Sequence, residues 1–257
     1  MKKWYKLVFK QIQPIHIGQG SYGVVNETRI FTPGWTMWGA LTKAYNLENG
    51  NDLSKNQNLF KNISCFYPSF DKDGKDVLFP EFRNGEFYLG NYSEDRFRAK
   101  FVDTFISTAI NPRTNTALDE SLHELNIILP AVKKDYRENE MEDQIYWVGI
   151  IELEEDKEMP KEIYIGGDAR YGLGKMVLGN KTALRNLPND WKQKGGYIPV
   201  WAIHELPQKK IELLVETIDA WKGAGLNVRL IREGFYCVPG STDHGNAIFV
   251  KGIYKEE

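Results

Sequence analysis

The sequence predicts an α+β fold, on three observations. Residues 4–17 alternate apolar Leu7, Phe9, Ile15 and Ile17 with polar neighbours, the two-residue period of a half-buried strand. Pro33 and Gly34 then open a stretch in which Met37, Leu41 and Tyr45 stand one helical turn apart. Strand-like and helix-like segments go on alternating in the order β, α, β, β within each half of the chain, consistent with two related halves that share no visible sequence repeat.

Each element follows from local chemistry. Pro14 gives the first strand an edge or a bulge, because proline cannot donate to a ladder. A glycine-rich turn and a second extended piece lead to the helix, which Gly50-Asn51-Asp52 closes. Residues 51–95 read as a loop-rich insertion, marked by Pro68, Pro80 and the turn Asp71-Lys72-Asp73-Gly74, with a short strand at Glu86–Leu89. Long insertions of this sort often carry function. Residues 101–110 read as a strand, 117–125 as a short helix or turn, and 145–153 as a strand rich in aromatic and branched side chains. Residues 197–204 are strand-like. Ile211, Leu214, Val215, Ile218 and Trp221 fall at helical spacing before Gly223, read as a helix stop. Residues 228–238 and 247–254 supply two further strands. The chain divides into an N-terminal domain, 1–180, and a C-terminal βαββ part, 181–257, packed on it or continuous with it.

With 257 residues and 42% hydrophobic content, the chain can bury a sizeable core. No run approaches the roughly 20 apolar residues that span a bilayer, and the opening Met1-Lys2-Lys3-Trp4-Tyr5-Lys6 leads into strand-like alternation, not an apolar signal block. A cytoplasmic protein with no membrane partner is expected. Cys65 and Cys237 are the only cysteines and form no CxxC pair, so two buried, reduced thiols are expected, with neither a zinc site nor a disulfide framework. A net charge of −2 argues weakly against nucleic acid. The charge is uneven, though: Arg96, Arg98, Lys100 and Arg113 make a basic region, whereas acidic residues crowd 138–162. That leaves room for an RNA groove beside an acidic face.

Several motifs fail on context. Gly18-Gln19-Gly20-Ser21-Tyr22-Gly23-Val24-Val25 matches the glycine-rich loop of protein kinases, but the strand lysine, catalytic loop and metal-binding Asp motif that phosphoryl transfer needs are missing. A dinucleotide-binding reading fails because Val24-Val25-Asn26-Glu27-Thr28 continues as extended chain where a helix N-terminus is required. His16, His123, His204 and His244 are scattered, with no HExxH, and each reads as structural. Asp71, Asp73 and Asp76 lack the glycine and the twelfth-position Glu of a calcium loop, and read as a hairpin turn. No cofactor, metal or catalytic residue is expected.

The sharpest signal is the segment 163–176. Gly166, Gly167, Gly172 and Gly174 permit tight turns and close approach to a ligand, while Arg170, Tyr171 and Lys175 supply charge and stacking. Two readings stand side by side: a cradle for a nucleic-acid backbone, and a glycine-rich turn packing on the sheet.

Gly166-Gly167-x-x-Arg170-x-Gly172-x-Gly174 resembles the glycine-rich loop of the RAMP superfamily of CRISPR-associated proteins. Three further pieces agree in order over residues 7–180. Ile15-His16-Ile17-Gly18 followed by Pro33-Gly34-Trp35-Thr36-Met37-Trp38-Gly39-Ala40-Leu41 resembles the family's first strand and helix entry, with Trp35 and Trp38 replacing small and basic residues. Phe66-Tyr67-Pro68 and Phe79-Pro80 sit where type III members of the five-prime-handle class show two prolines, and 109–124 resembles an internal family segment, with Asn111-Pro112 before Arg113 in place of Asp. The resemblance implies a RAMP-type ferredoxin-like (RRM-like) fold, as two fused domains or one elaborated by inserted loops. It implies a non-catalytic subunit that caps the 5′ repeat-derived handle of the CRISPR RNA in a type III or derived type VII effector. Its partners would be that crRNA, backbone RAMP subunits and, indirectly, target RNA. No Asp lies in residues 18–30, where cleaving backbone subunits place a catalytic acid, which favours a binder.

The expected RNA contacts are Gly166, Gly167, Arg170, Tyr171, Gly172, Gly174, Lys175, Gly18, Gly20, Tyr22, Gly34, Trp35, Arg96, Arg98, Lys100 and Arg113. Tyr92, Phe97 and Phe101 are further stacking candidates, although aromatics at strand spacing are more often core. Three alternatives remain open at this level. They are a repeating crRNA-backbone subunit, a metal-independent endoribonuclease using His16 or His123, and a protein-only scaffold.

Overall fold

The computed structural model describes residues 2–52, 55–137, 144–155, 157–200, 210–222, 225–240 and 248–255. Strands β1 (Lys2–Gln11), β2 (Gly18–Tyr22) and β3 (Val25–Thr28) lead into helix α1 (Gly34–Glu48). Short strands β4 (Tyr67–Ser69), β5 (Pro80–Arg83), β6 (Glu86–Leu89) and β7 (Tyr92–Ser93) precede helix α2 (Glu94–Phe101). Strands β8 (Val102–Ser107), β9 (His123–Ile128), β10 (Tyr146–Glu154), β11 (Glu162–Tyr164) and β12 (Lys175–Ala183) follow, then helix α3 (Asn189–Lys194). Strands β13 (Ile198–Pro199), β14 (Ile211–Lys222), β15 (Gly225–Cys237), β16 (Ile248–Val250) and β17 (Ile253–Lys255) complete the described elements.

Leu7, Val8 and Phe9 are consecutive and all fully buried, which marks β1 as a strand covered on both faces. It is the middle strand of a five-stranded sheet in the order β11-β12-β1-β10-β4. β10 pairs antiparallel along it from Glu154 opposite Lys2 to Tyr146 opposite Lys10, and β12 pairs on its other side with a bulge at Val8/Phe9. Helix α1 buries Met37, Ala40 and Leu41 in the same core, as their turn-by-turn spacing requires. The fold is α+β, with few helices and sheets that are antiparallel except where β3 pairs with β9 in parallel. No helix of the described residues is long and apolar enough to cross a membrane.

A second sheet, β2-β3-β9-β8, carries the glycine-rich β2–β3 hairpin, which turns at Gly23 with φ 62°. Its β8–β9 hairpin leaves Phe105, Ile106, Ile110, Leu118 and Leu122 exposed. The 51–95 insertion is more ordered than a loop: β4 joins the main sheet and β5-β6-β7 form their own, with β6 at the expected Glu86–Leu89. The Asp71 turn is a hairpin turn, closed by Gly74 N–H donating to the Asp71 carbonyl at 3.0 Å.

Of the short helix or turn expected at 117–125, the turn is present, at 119–120, before β9 starts at His123. Three expectations need correction. Residues 94–101 form helix α2, where the strand was expected to start at 101. The segment read as a C-terminal helix, from Ile211 to Trp221, is strand β14, paired antiparallel with β15 from Ile211 opposite Cys237 to Lys222 opposite Gly225. The expected βαββ order of residues 181–257 therefore loses its helix at that position, and the helix of this part, α3, lies before β13. Residues 248–255 are two strands and not one, because Lys251 and Gly252 both take positive φ (54° and 75°) and turn the chain back as a tight hairpin. Of the expected 197–204 strand, 198–199 is strand and 201–204 lies outside the described residues, as do His204, Gly223 and His244.

Candidate nucleic-acid interface

The glycine-rich segment forms the exposed connection between β11 and β12. Gly166, Asp168, Gly172 and Gly174 have φ of 73°, 57°, 79° and 92°, a left-handed conformation that glycine adopts without cost. Two of these glycines serve packing. A Cβ on Gly166 would stand 1.9 Å from the His16 carbonyl oxygen, and one on Gly174 would stand 2.3 Å from that of Ile165. Backbone bonds fasten the loop to the chain between β1 and β2: Gly167 N–H donates to the His16 carbonyl at 3.1 Å and Gly174 N–H to that of Pro14 at 2.8 Å. Between these anchors, Ala169–Tyr171 make one turn of 3-10 helix whose Arg170 and Tyr171 face solvent. A Cβ on Gly172 meets nothing within 4 Å. The ends of the segment thus pack as a turn against the sheet, and its middle is presented to solvent.

Arg170 lies over the Tyr171 ring, 5.0 Å from its centroid, and that ring lies 6.0 Å from Phe105 of β8. Tyr171 is 52% exposed, so part of its ring remains accessible beside Arg170 and Phe105. On the other side of the loop, Gly18, Trp35, Gly166 and Gly167 line one cleft of about 500 Å³ together with Arg29, Thr36, Gly39, Lys43 and Tyr164. The glycine loop, the start of β2 and the entry of α1 thus meet at one place. Among the described residues, two cations and no carboxylate line the cleft, in a chain where acids outnumber bases by 35 to 33. A second cleft, of about 480 Å³, mixes Lys2 and Lys55 with Glu152 and Glu154 and has no such bias.

Other expected contacts stand elsewhere. Lys100 is 2% exposed, with its ammonium 5.8 Å from the centroid of Tyr92, and is no surface cation. Arg98 donates to Glu94, to the Thr28 carbonyl at 3.0 Å and to Gln19 at 3.3 Å, tying α2 to the β2–β3 hairpin. Gly34 is buried against Gly252, where a Cβ would lie 2.3 Å from the backbone nitrogen. Phe97 and Phe101 are fully buried and Tyr92 packs on both, so these three are core aromatics. Trp35 is half-buried on Tyr197, with centroids 4.9 Å apart. Lys175 is held by Glu162 at 2.7 Å, and that hydrogen bond pulls the Glu162 carboxyl below its ordinary range. Arg96, Arg113, Gly20 and Tyr22 are exposed but do not line the cleft. The sequence reading missed Arg29 and Lys43. Lys43 had a usable signal, since it follows Gly39 by one helical turn.

His16 is 7% exposed, and its Nδ1 is 2.8 Å from the Asn126 carbonyl, an arrangement that holds the ring in place. Cys65 and Cys237 are both buried and are not joined in a disulfide. Among the described residues no three His, Cys, Asp or Glu side chains converge as metal ligands.

No family model and no curated protein matches the chain. Solved structures do. A chain of the Type III-B Cmr-beta complex bound to cognate target RNA is 14% identical, with a TM-score of 0.54 over 92% of this chain and 85% of that one. A chain of the same complex bound to cognate target RNA and AMPPnP is 13% identical, with a TM-score of 0.61 over 92% and 84%. At such identity the likeness shows the fold alone: this chain shares the ferredoxin-like α+β architecture of those chains.

Proposed function

We propose that the chain is a non-catalytic RNA-holding subunit of a CRISPR effector ribonucleoprotein, and that it caps the 5′ repeat-derived handle of the crRNA. The observation that carries this is the pairing of an exposed glycine loop, presenting Arg170 on Tyr171, with an adjoining cleft whose lining, among the described residues, includes Arg29 and Lys43 and no acid. A nucleic-acid strand outside a duplex is gripped by this combination of aromatic faces, each worth about 1–3 kcal/mol per stacked base, and a cationic groove along its phosphates. The fold shared with chains of an RNA-bound Type III-B complex supports the same reading.

The test is protection of a handle-bearing RNA by the purified chain with its backbone partner. Arg170→Ala or Tyr171→Ala should weaken protection about tenfold without lowering thermal stability, since both side chains face solvent. The RNA should be recovered uncut after incubation in EDTA. Native mass spectrometry should find one copy per complex, whereas several would make the chain a repeating backbone subunit. Loop variants that assemble with RNA as the parent does would remove the site assignment.

A further inference from the structure

Arg29 follows β3 directly and lines the cleft, yet neither the glycine loop nor the helix entry accounts for it. Its Nη1 donates to the Tyr197 hydroxyl at 3.0 Å and to the carboxylate of Glu212 on β14. The two charged side chains are 12% and 13% exposed. An ion pair so far removed from water gives little net stability, because desolvation offsets the attraction. A packed apolar pair would hold the C-terminal ribbon to the body as well. What an apolar pair would lack is the rest of the guanidinium. Arginine carries five N–H donors in a rigid fork, and Nη1 uses its two on Tyr197 and Glu212. Nε and Nη2 have no protein partner among the described residues, and together they form the parallel pair that matches two oxygens of one phosphate.

We infer that Arg29 is a phosphate ligand inside this cleft and that Glu212 is its positioning residue, so the C-terminal β14–β15 ribbon belongs to the RNA site without touching RNA. This rests on the RNA-holding reading above. Lys43 at the rim adds a second, undirected charge. A strand threading past Gly18 and Gly166–Gly167 would meet Arg29 at a fixed angle, which gives register as well as attraction.

The experiment compares the full-length parent with Arg29→Gln/Glu212→Gln, using fluorescence anisotropy with a mixed-sequence single-stranded RNA over a range of salt. The double variant leaves net charge unchanged and leaves no buried charge unpaired, so its thermal midpoint should match the parent. It should nonetheless bind RNA about tenfold more weakly, with a log–log salt slope shallower by about 0.7. Arg29→Lys should keep the slope but lose most of the affinity, because an ammonium has no fork. If the double variant binds with the parent's affinity and slope, Arg29 is a structural tie and the inference is overturned while the RNA reading stands. If the parent itself binds no RNA, both are overturned.

Discussion

Within the glycine loop, neighbouring residues of one type have opposite roles. Gly166→Ala would drive a methyl group into the His16 carbonyl from a left-handed backbone, and should cost more than about 3 kcal/mol in denaturant unfolding. Gly172→Ala has open space around it and carries only the conformational penalty, about 1 kcal/mol. Similar losses for both would mean that the loop is not anchored as described. The sequence showed that this segment needs glycine. It could not show which glycine is anchored, since that depends on the carbonyls of Pro14 and His16, brought alongside by the pairing of β1 with β12. The basic cluster 96–100 teaches the same lesson. Read as a line it is one patch; wound into α2 it sends Arg96 to solvent and Lys100 into the core.

Helix α2 is written in its sequence by a cap, an apolar turn and a charge gradient. Ser93 stands before Glu94 and Asp95, Phe97 and Phe101 are one turn apart, and Arg98 and Lys100 sit in the last turn, the order that suits the helix dipole. The Ser93 hydroxyl accepts from the Arg96 N–H at 3.3 Å. Ser93→Ala should therefore lower stability by about 1 kcal/mol, seen as a reduced denaturant midpoint with unchanged slope, and Ser93→Asp should restore it. An unchanged midpoint for Ser93→Ala would show that the cap contributes nothing. Strand β14 misled for a different reason. Ile211, Leu214, Val215, Ile218 and Trp221 satisfy a helical period, but Ile211, Leu213, Val215 and Thr217 also alternate, and branched residues favour the strand. The thirteen-residue partner β15 decided between them, and no window on β14 alone contains that partner.

At the scale of the molecule, the insertion, α3 and the C-terminal strands meet around buried hydroxyls and a thiol. Tyr67 bonds the Lys194 carbonyl, Tyr254 bonds that of Lys192 at 2.8 Å, and Tyr197 bonds Glu212 at 3.3 Å. The Cys65 thiol faces the Gly252 carbonyl at 3.6 Å. Burial pushes the Cys65 thiol from 9.0 up to about 12 and raises all three phenols above their ordinary 10.0. In the unfolded chain these groups would lose protons at the ordinary values, while the folded chain keeps them neutral. Their contribution is thus complete below pH 9.0 and declines as pH rises toward the folded-state values, on the order of 4 kcal/mol from Cys65 alone by pH 12. Thermal midpoints should hold level through neutrality and fall steeply above pH 9.0. Tyrosinate absorbance from Tyr67, Tyr197 and Tyr254 should appear only in the same cooperative step that makes Cys65 reactive to iodoacetamide. Were Tyr67→Phe, Tyr197→Phe and Tyr254→Phe to leave the tyrosinate absorbance seen before that step smaller than the parent's, the phenols would be ionising in the native state, and the buried junction described here would be wrong.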